Sequence, residues 1–119
     1  GLETSFVTNL LSHYVLTEGL RAAGRFADGA AVVNMSSGGM YGAKLDLDTL
    51  LRDSAAGYDG MAAYAQHKRA QVELTRAWNQ RWQGQPRVYV MHPGWVDTAG
   101  VQTALPQAAL TRWRVSSAS

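Results

Sequence analysis

Leu2, Phe6, Leu10, Leu16 and Leu20 return at helical intervals, and Val7, Leu11 and Tyr14 widen the same stripe. This predicts a core-facing helix over residues 2–23, closed at Gly24, where glycine tolerates a left-handed backbone. Ala30 to Met35 is short, β-branched at its centre and apolar at consecutive positions rather than alternating. That is the signature of a parallel strand covered on both faces. Residues 40–60 carry Asp46, Asp48, Asp53 and Asp59 among glycines, which predicts a long loop with at most a helical turn near Leu47 to Arg52. A second helix is expected over residues 61–83, with Leu74, Trp78 and Trp82 on one side and Val72 beside them, stopped by Gly84 and Pro86. Arg87 to Met91 reads as a second strand, and His92-Pro93-Gly94 turns the chain out of it.

The order is helix, strand, helix, strand, loop. A strand–helix–strand crossover implies parallel strands joined in a right-handed unit. The fold class is therefore α/β, a fragment of a Rossmann-type doubly wound parallel sheet without its N-terminal strands. The tail, residues 107–119, shows no clear organisation.

Composition narrows the function classes. At 119 residues the chain holds at most one domain, and its net charge is only +2. Basic residues are scattered, so nucleic acid is not an expected partner. There is no cysteine, which excludes a disulfide framework and agrees with a reducing compartment; cytoplasmic is the expected location. His13, His67 and His92 have no metal-ligand spacing, and no metal is expected. No apolar run reaches the roughly 20 residues of a membrane span.

In open parallel sheets, ligands bind at the carboxyl ends of the strands. Ser36 and Ser37 end the first strand, Pro93 and Gly94 follow the second, and Tyr64 and Lys68 stand in the first turns of the helix between them. Tyr64 and Lys68 are four residues apart and so share a helix face. A free phenol has a pKa of about 10, and lowering it to about 7 requires roughly 4 kcal/mol. A cation about 4 Å away supplies an interaction of that order at an effective dielectric near 20. Tyr64 is accordingly the candidate acid/base for a carbonyl or alcohol oxygen. A tyrosine and lysine at this spacing are common on helix surfaces, so the weight lies in the ordered set of neighbours.

That ordered set resembles the short-chain dehydrogenase/reductase family. Phe6-Val7-Thr8-Asn9-Leu10-Leu11 looks like the helix carrying its active-site asparagine, here Asn9. Val33-Asn34-Met35-Ser36-Ser37 looks like the strand ending in the active-site serine, by motif position Ser37. Tyr64 and Lys68 match the family pair, and Pro93-Gly94-Trp95-Val96-Asp97-Thr98 matches the segment that lies along the nicotinamide. The resemblance implies NAD or NADP as cofactor and a small alcohol or carbonyl substrate. It implies that Ser37 orients the substrate oxygen and that Lys68 both acidifies Tyr64 and binds the nicotinamide ribose. Asn9 would hold a relay water, while Pro93, Gly94, Val96 and Thr98 would line the nicotinamide. The longer Ser37-to-Tyr64 gap and its flanking residues resemble the member 12 group of this family, a likeness that brings no substrate with it. A sugar-nucleotide epimerase or dehydratase also uses such a pair, but the Pro-Gly-Trp-Val-Asp-Thr segment favours the dehydrogenase.

The chain also departs from the family. The glycine-rich turn that cradles the cofactor pyrophosphate at a helix start is not in this sequence. Residues 1–119 thus read as the catalytic half of such a domain, with the nucleotide-binding half absent. Two expectations follow: a sheet bare on one face, and possible homo-oligomer formation through helices 2–23 and 61–83. The alternative is a non-catalytic remnant or association module unable to bind cofactor alone. Trp78 and Trp82 are expected in packing rather than in substrate contact.

Overall fold

The carboxylate of Asp59 starts the longest element. Its Oδ1 accepts from the amides of Met61 (3.0 Å) and Ala62 (3.1 Å), satisfying two orphan donors of a helix start. The helix then runs Gly60–Trp82 and ends where Gln83 enters the left-handed region at φ 52°, followed by Gly84 at φ 80°. The architecture is that of a computed structural model, which describes residues 2–51 and 56–94 and the single residues 99 and 103. Trp95, Val96, Asp97, Thr98 and the tail 107–119 lie outside the described residues.

Helix α1 spans residues 4–22 in three parts: an α-helical turn Thr4–Phe6, a π-helical turn Val7–Leu11 and an α-helix Ser12–Ala22. Strand β1 is Ala31–Met35, a 3₁₀ turn covers Gly38–Gly42, α2 is Leu47–Leu50, α3 is Gly60–Trp82, and β2 is Arg87–Met91. At the end of α1, Gly24 takes φ 63°, its amide bonds to Arg21 O, and the amide of Arg25 bonds to Leu20 O (2.9 Å). This paired closure is the Schellman arrangement, and it requires the left-handed residue that glycine supplies without strain.

β1 and β2 pair in parallel, Ala31 against Arg87 through Met35 against Met91. This is a partial Rossmann-like α/β arrangement. The strand directions put the start of α3 at the carboxyl end of the sheet. The core forms at the other end of α3, where Trp78 (2% exposed), Trp82 and Val88 are buried together, with Val32 and Leu74 packed against them. The two indoles stack at 5.1 Å, and Tyr14 of α1 stacks on Trp78 at 6.1 Å. Trp78 Nε1 donates to Glu18 (2.9 Å), and the Arg21 guanidinium lies 4.9 Å over Trp82. The tryptophan pair thus joins both α1 and the sheet to α3, and truncating either indole to alanine removes about 3–5 kcal/mol of packing. Asn79 donates to Val88 O (2.6 Å) and accepts from Val88 N (3.0 Å), taking the place of a neighbouring strand on that edge of β2.

Two readings of the apolar pattern are corrected. The first strand is covered on one face only, as expected for a chain carrying half of such a sheet: Val33 is 51% exposed and Tyr89 beside it 49%, with Met35 and Met91 similarly open. The consecutive apolar positions do describe a two-faced strand, but the described residues supply one layer of helix. Second, Leu2, Leu16 (63% exposed) and Leu20 are not in the core, although Leu10 is. The π turn shifts the register between the two halves of α1. The C-terminal half then meets α3 through Tyr14, Glu18 and Arg21 rather than through its leucines. The loop expected after β1 begins as the 3₁₀ turn. Among the described residues, no helix is long and apolar enough to cross a membrane.

An open apolar sheet face promotes association. The isolated chain is expected to self-associate with rising concentration in sedimentation velocity, and Val33→Thr with Tyr89→Thr is expected to reduce this. A monodisperse monomer with one sharp cooperative melt would contradict it.

Candidate active site

The carboxyl end of β1 is tied to α3 by two hydrogen bonds running in opposite directions. Ser36 Oγ donates to the main-chain carbonyl of Lys68 (2.9 Å), and Lys68 Nζ donates to the main-chain carbonyl of Met35 (2.8 Å). The two serines of the strand end are thereby divided. Ser36 is buried and spends its hydroxyl on the scaffold. Ser37 is half-buried and caps the 3₁₀ turn, its Oγ accepting weakly from Gly39 N (3.4 Å). An acceptor in that bond, the Ser37 hydroxyl keeps its own proton available for a ligand oxygen.

Lys68 Nζ also stands 5.6 Å from the centroid of the Tyr64 ring, over its face. The i, i+4 spacing places both side chains on one side of α3. Tyr64 is 37% exposed, and burial pushes the Lys68 ammonium below the usual lysine value. The strand-end carbonyl of Met35 is the direct polar contact of the ammonium, and the tyrosine ring lies alongside.

Beyond β2, Pro93 and Gly94 are exposed, and Gly94 takes φ 75°. The preceding His92 meets Tyr41 of the 3₁₀ turn edge-on at 5.6 Å, bridging the loops that leave the two strands. The intervening segment is fastened from α3: Gln66 Nε2 donates to Lys44 O (2.6 Å), and its Oε1 accepts from Asp46 N (3.0 Å). The long Ser37-to-Tyr64 connection is thus held two residues from Tyr64.

Asn9 lies within the π turn of α1 and reaches α3 rather than the strand end. Its side-chain amide bonds His67 Nδ1 (3.3 Å), and its main-chain carbonyl accepts from Gln71 Nε2 (2.7 Å). The structure therefore gathers Ser36, Ser37, Tyr64 and Lys68 around the end of β1, while Asn9 is bonded to His67 and Gln71 on the adjoining face of α3. Val96 and Thr98 lie outside the described residues.

A buried polar stripe on α3 was missed by the sequence reading. His67, Gln71 and Thr75 are all buried, and Thr75 Oγ1 accepts from Asn34 Nδ2 of β1 (3.1 Å). The sequence signal was the spacing 67, 71, 75, 78, 82, which forms one helix face only when polar residues are counted with apolar ones. Burial pushes the His67 imidazole below its ordinary value of 6.5; Glu3 opposes this and Lys68 assists it. Among the described residues, no three histidine, cysteine or acidic side chains are arranged to hold a metal ion.

The donors suit the ribose end of a nicotinamide cofactor. An ammonium has three N–H groups, and the contact with Met35 O uses one. Vicinal hydroxyls match such a donor beside a phenol. The residues present therefore fit that part of the group.

Comparison with known proteins accords with this geometry. Over 89% of its length the chain is similar to sequence of the short-chain dehydrogenase/reductase family. It is 43% identical over 108 residues to human dehydrogenase/reductase SDR family member 12, covering 33% of that protein. It is 37% identical over 106 residues, 83% of this chain and 32% of the relative, to zebrafish (Danio rerio) polyprenol dehydrogenase. It is 35% identical over 99 residues, 82% of this chain and 33% of the relative, to a probable oxidoreductase of Streptomyces antibioticus. The chain thus spans about a third of the length of the curated relatives it matches. No protein-family model and no solved structure matches it.

The division between the serines is testable. Ser36→Ala is expected to cost about 1 kcal/mol of stability in a urea titration by losing a buried hydrogen bond. Ser37→Ala is expected to stay within about 0.5 kcal/mol. Equal effects, or the reverse order, would contradict the assignment.

Proposed function

We propose that this chain carries the catalytic residues of an NAD- or NADP-dependent oxidoreductase that interconverts an alcohol and a carbonyl. The observation that carries the reading is the Lys68 ammonium anchored on the last carbonyl of β1 with the Tyr64 ring beside it. The names of the relatives, a dehydrogenase/reductase, a polyprenol dehydrogenase and a probable oxidoreductase, support the reaction class.

In this reading Tyr64 donates its phenolic proton to the carbonyl oxygen during reduction and recovers it during oxidation. The Ser37 hydroxyl hydrogen-bonds the same oxygen and fixes its direction. Lys68 stands over the Tyr64 ring and offers its remaining N–H groups to the ribose hydroxyls. Asn9 holds a water that returns protons toward Lys68. Pro93 and Gly94 form the wall of the nicotinamide site, and Val96 and Thr98 hold its carboxamide. The nicotinamide, when bound, supplies or accepts the hydride.

Two further parts concern partners. A second copy of the chain packs through α1 and α3, whose exposed Val15, Leu16 and Leu20 adjoin an apolar cleft lined by Phe6, Leu10, Tyr14 and Leu74. The compartment is the cytoplasm. A second reading, a non-catalytic association module, is favoured by the open sheet face.

In a full-length protein bearing this segment, Tyr64→Phe is expected to lower kcat/KM for alcohol oxidation by about 100-fold or more. Near-full activity would rule the acid/base role out. Fluorescence titration of the isolated chain with NADH or NADPH is expected to show no tight binding. An absence of turnover in the full-length protein would favour the association module.

A further inference from the structure

The two helices meet across a polar seam that the proposed chemistry does not explain. Asn9 sits in the middle of the π turn Val7–Leu11, where the wider winding takes carbonyls out of the usual i, i+4 ladder. From α3, Gln71 donates to the Asn9 carbonyl (2.7 Å) and to His13 Nδ1 (3.1 Å). One helical turn earlier, His67 Nδ1 meets the Asn9 side-chain amide at 3.3 Å. Gln71 is 1% exposed and His67 2%. We propose that His67 and Gln71 are positioning residues for Asn9, His67 by accepting from its side-chain amide and Gln71 by donating to the main-chain carbonyl of the π turn that presents it.

The orientation of the Gln71 amide follows from its contacts. Gln71 uses both Nε2 protons, and its Oε1 is buried with no hydrogen-bond partner. Turning the amide over would satisfy Oε1 against a protonated His13 Nδ1. It would also set two oxygens against each other at Asn9, so the carbonyl of the π turn dictates the orientation. His13 is then an acceptor at Nδ1 and carries its proton on Nε2. His67, receiving the Asn9 amide, has the same tautomer. The side chain of Asn9 is thereby held from one end and its backbone from the other, which fixes where the remaining amide oxygen points.

Protonation reverses the contact at His67, because Nδ1 then bears a hydrogen facing the N–H donors of Asn9. Phe6 closes the ring from α1 edge-on at 6.0 Å. Glu3, at the start of α1, favours the imidazolium; Lys68, the neighbour on α3, disfavours it; burial is the largest influence and also disfavours it. With the folded value depressed below 6.5, the contribution of this contact is fully present above 6.5 and is lost as pH falls through the folded value.

The role of Asn9 in catalysis rests on the proposed function, whereas the lock is a property of the fold. Nitrogen-15 NMR of the full chain near neutral pH is expected to show both His13 and His67 protonated at Nε2 and bare at Nδ1. Gln71→Leu is expected to speed amide exchange across Val7 to Ser12 about 10-fold, leaving Thr75 to Trp82 unchanged. His67→Gln, whose Oε1 also accepts, is expected to preserve protection of the Asn9 side-chain amide, and His67→Leu to lose it. A proton on Nδ1 of either ring, or equal behaviour of the two His67 variants, would overturn the lock. Failure of Asn9→Ala to alter turnover, with these signatures intact, would instead overturn the relay reading alone.

Discussion

The burial of Trp78 and Trp82 against Val88 is the contact on which the remaining geometry depends. A helix of 23 residues is a stiff rod about 34 Å long, so fixing one end over the sheet aims the other. The indole pair sits at the carboxyl end of α3, bonded to Glu18 and stacked on Tyr14, and it gathers α1 and both strands at once. The amino-terminal turns of α3 then fall at the carboxyl ends of β1 and β2. Tyr64 and Lys68 need no further device to reach a strand end; topology and one apolar seam bring them there. The reciprocal bonds between Lys68 and the Met35–Ser36 strand end set the final alignment.

Along α3 the environment changes from polar to apolar in one direction. The apolar half carries the packing. The polar half, through His67, Gln71 and Thr75, exchanges hydrogen bonds with α1 and β1 at partners 58, 62 and 41 residues away. Each such group would be costly if left unpaired. The result is that the part of α3 nearest the site is held by directional contacts, which define angles more sharply than apolar packing does. Asn9 is placed by that half of the helix, and Lys68 by its neighbouring face.

The elements with one strong local pattern were legible in the sequence. Arg87–Met91 and Gly60–Trp82 fall within one residue of expectation, because Pro86, Gly84 and the Asp59 cap mark their ends chemically. The parallel pairing follows from the crossover rule. The π turn was not legible, since nothing in Val7–Leu11 distinguishes it from an ordinary turn; it is tied to a carbonyl bonded to Gln71, 62 positions away. The division between Ser36 and Ser37 followed from the family motif, whereas the physical difference between them comes from the Lys68 carbonyl. The buried stripe escaped for a related reason: the helix face was drawn from apolar residues alone, and only distant partners make polar burial tolerable.

The chain contains two lysines, Lys44 and Lys68, which makes the central contact directly measurable. In a nitrogen-15 lysine-labelled chain, the account predicts one solvent-like ammonium and one that exchanges slowly and shows nuclear Overhauser contacts to Met35 and to the Tyr64 ring. Two equivalent, freely exchanging ammonium signals would contradict it.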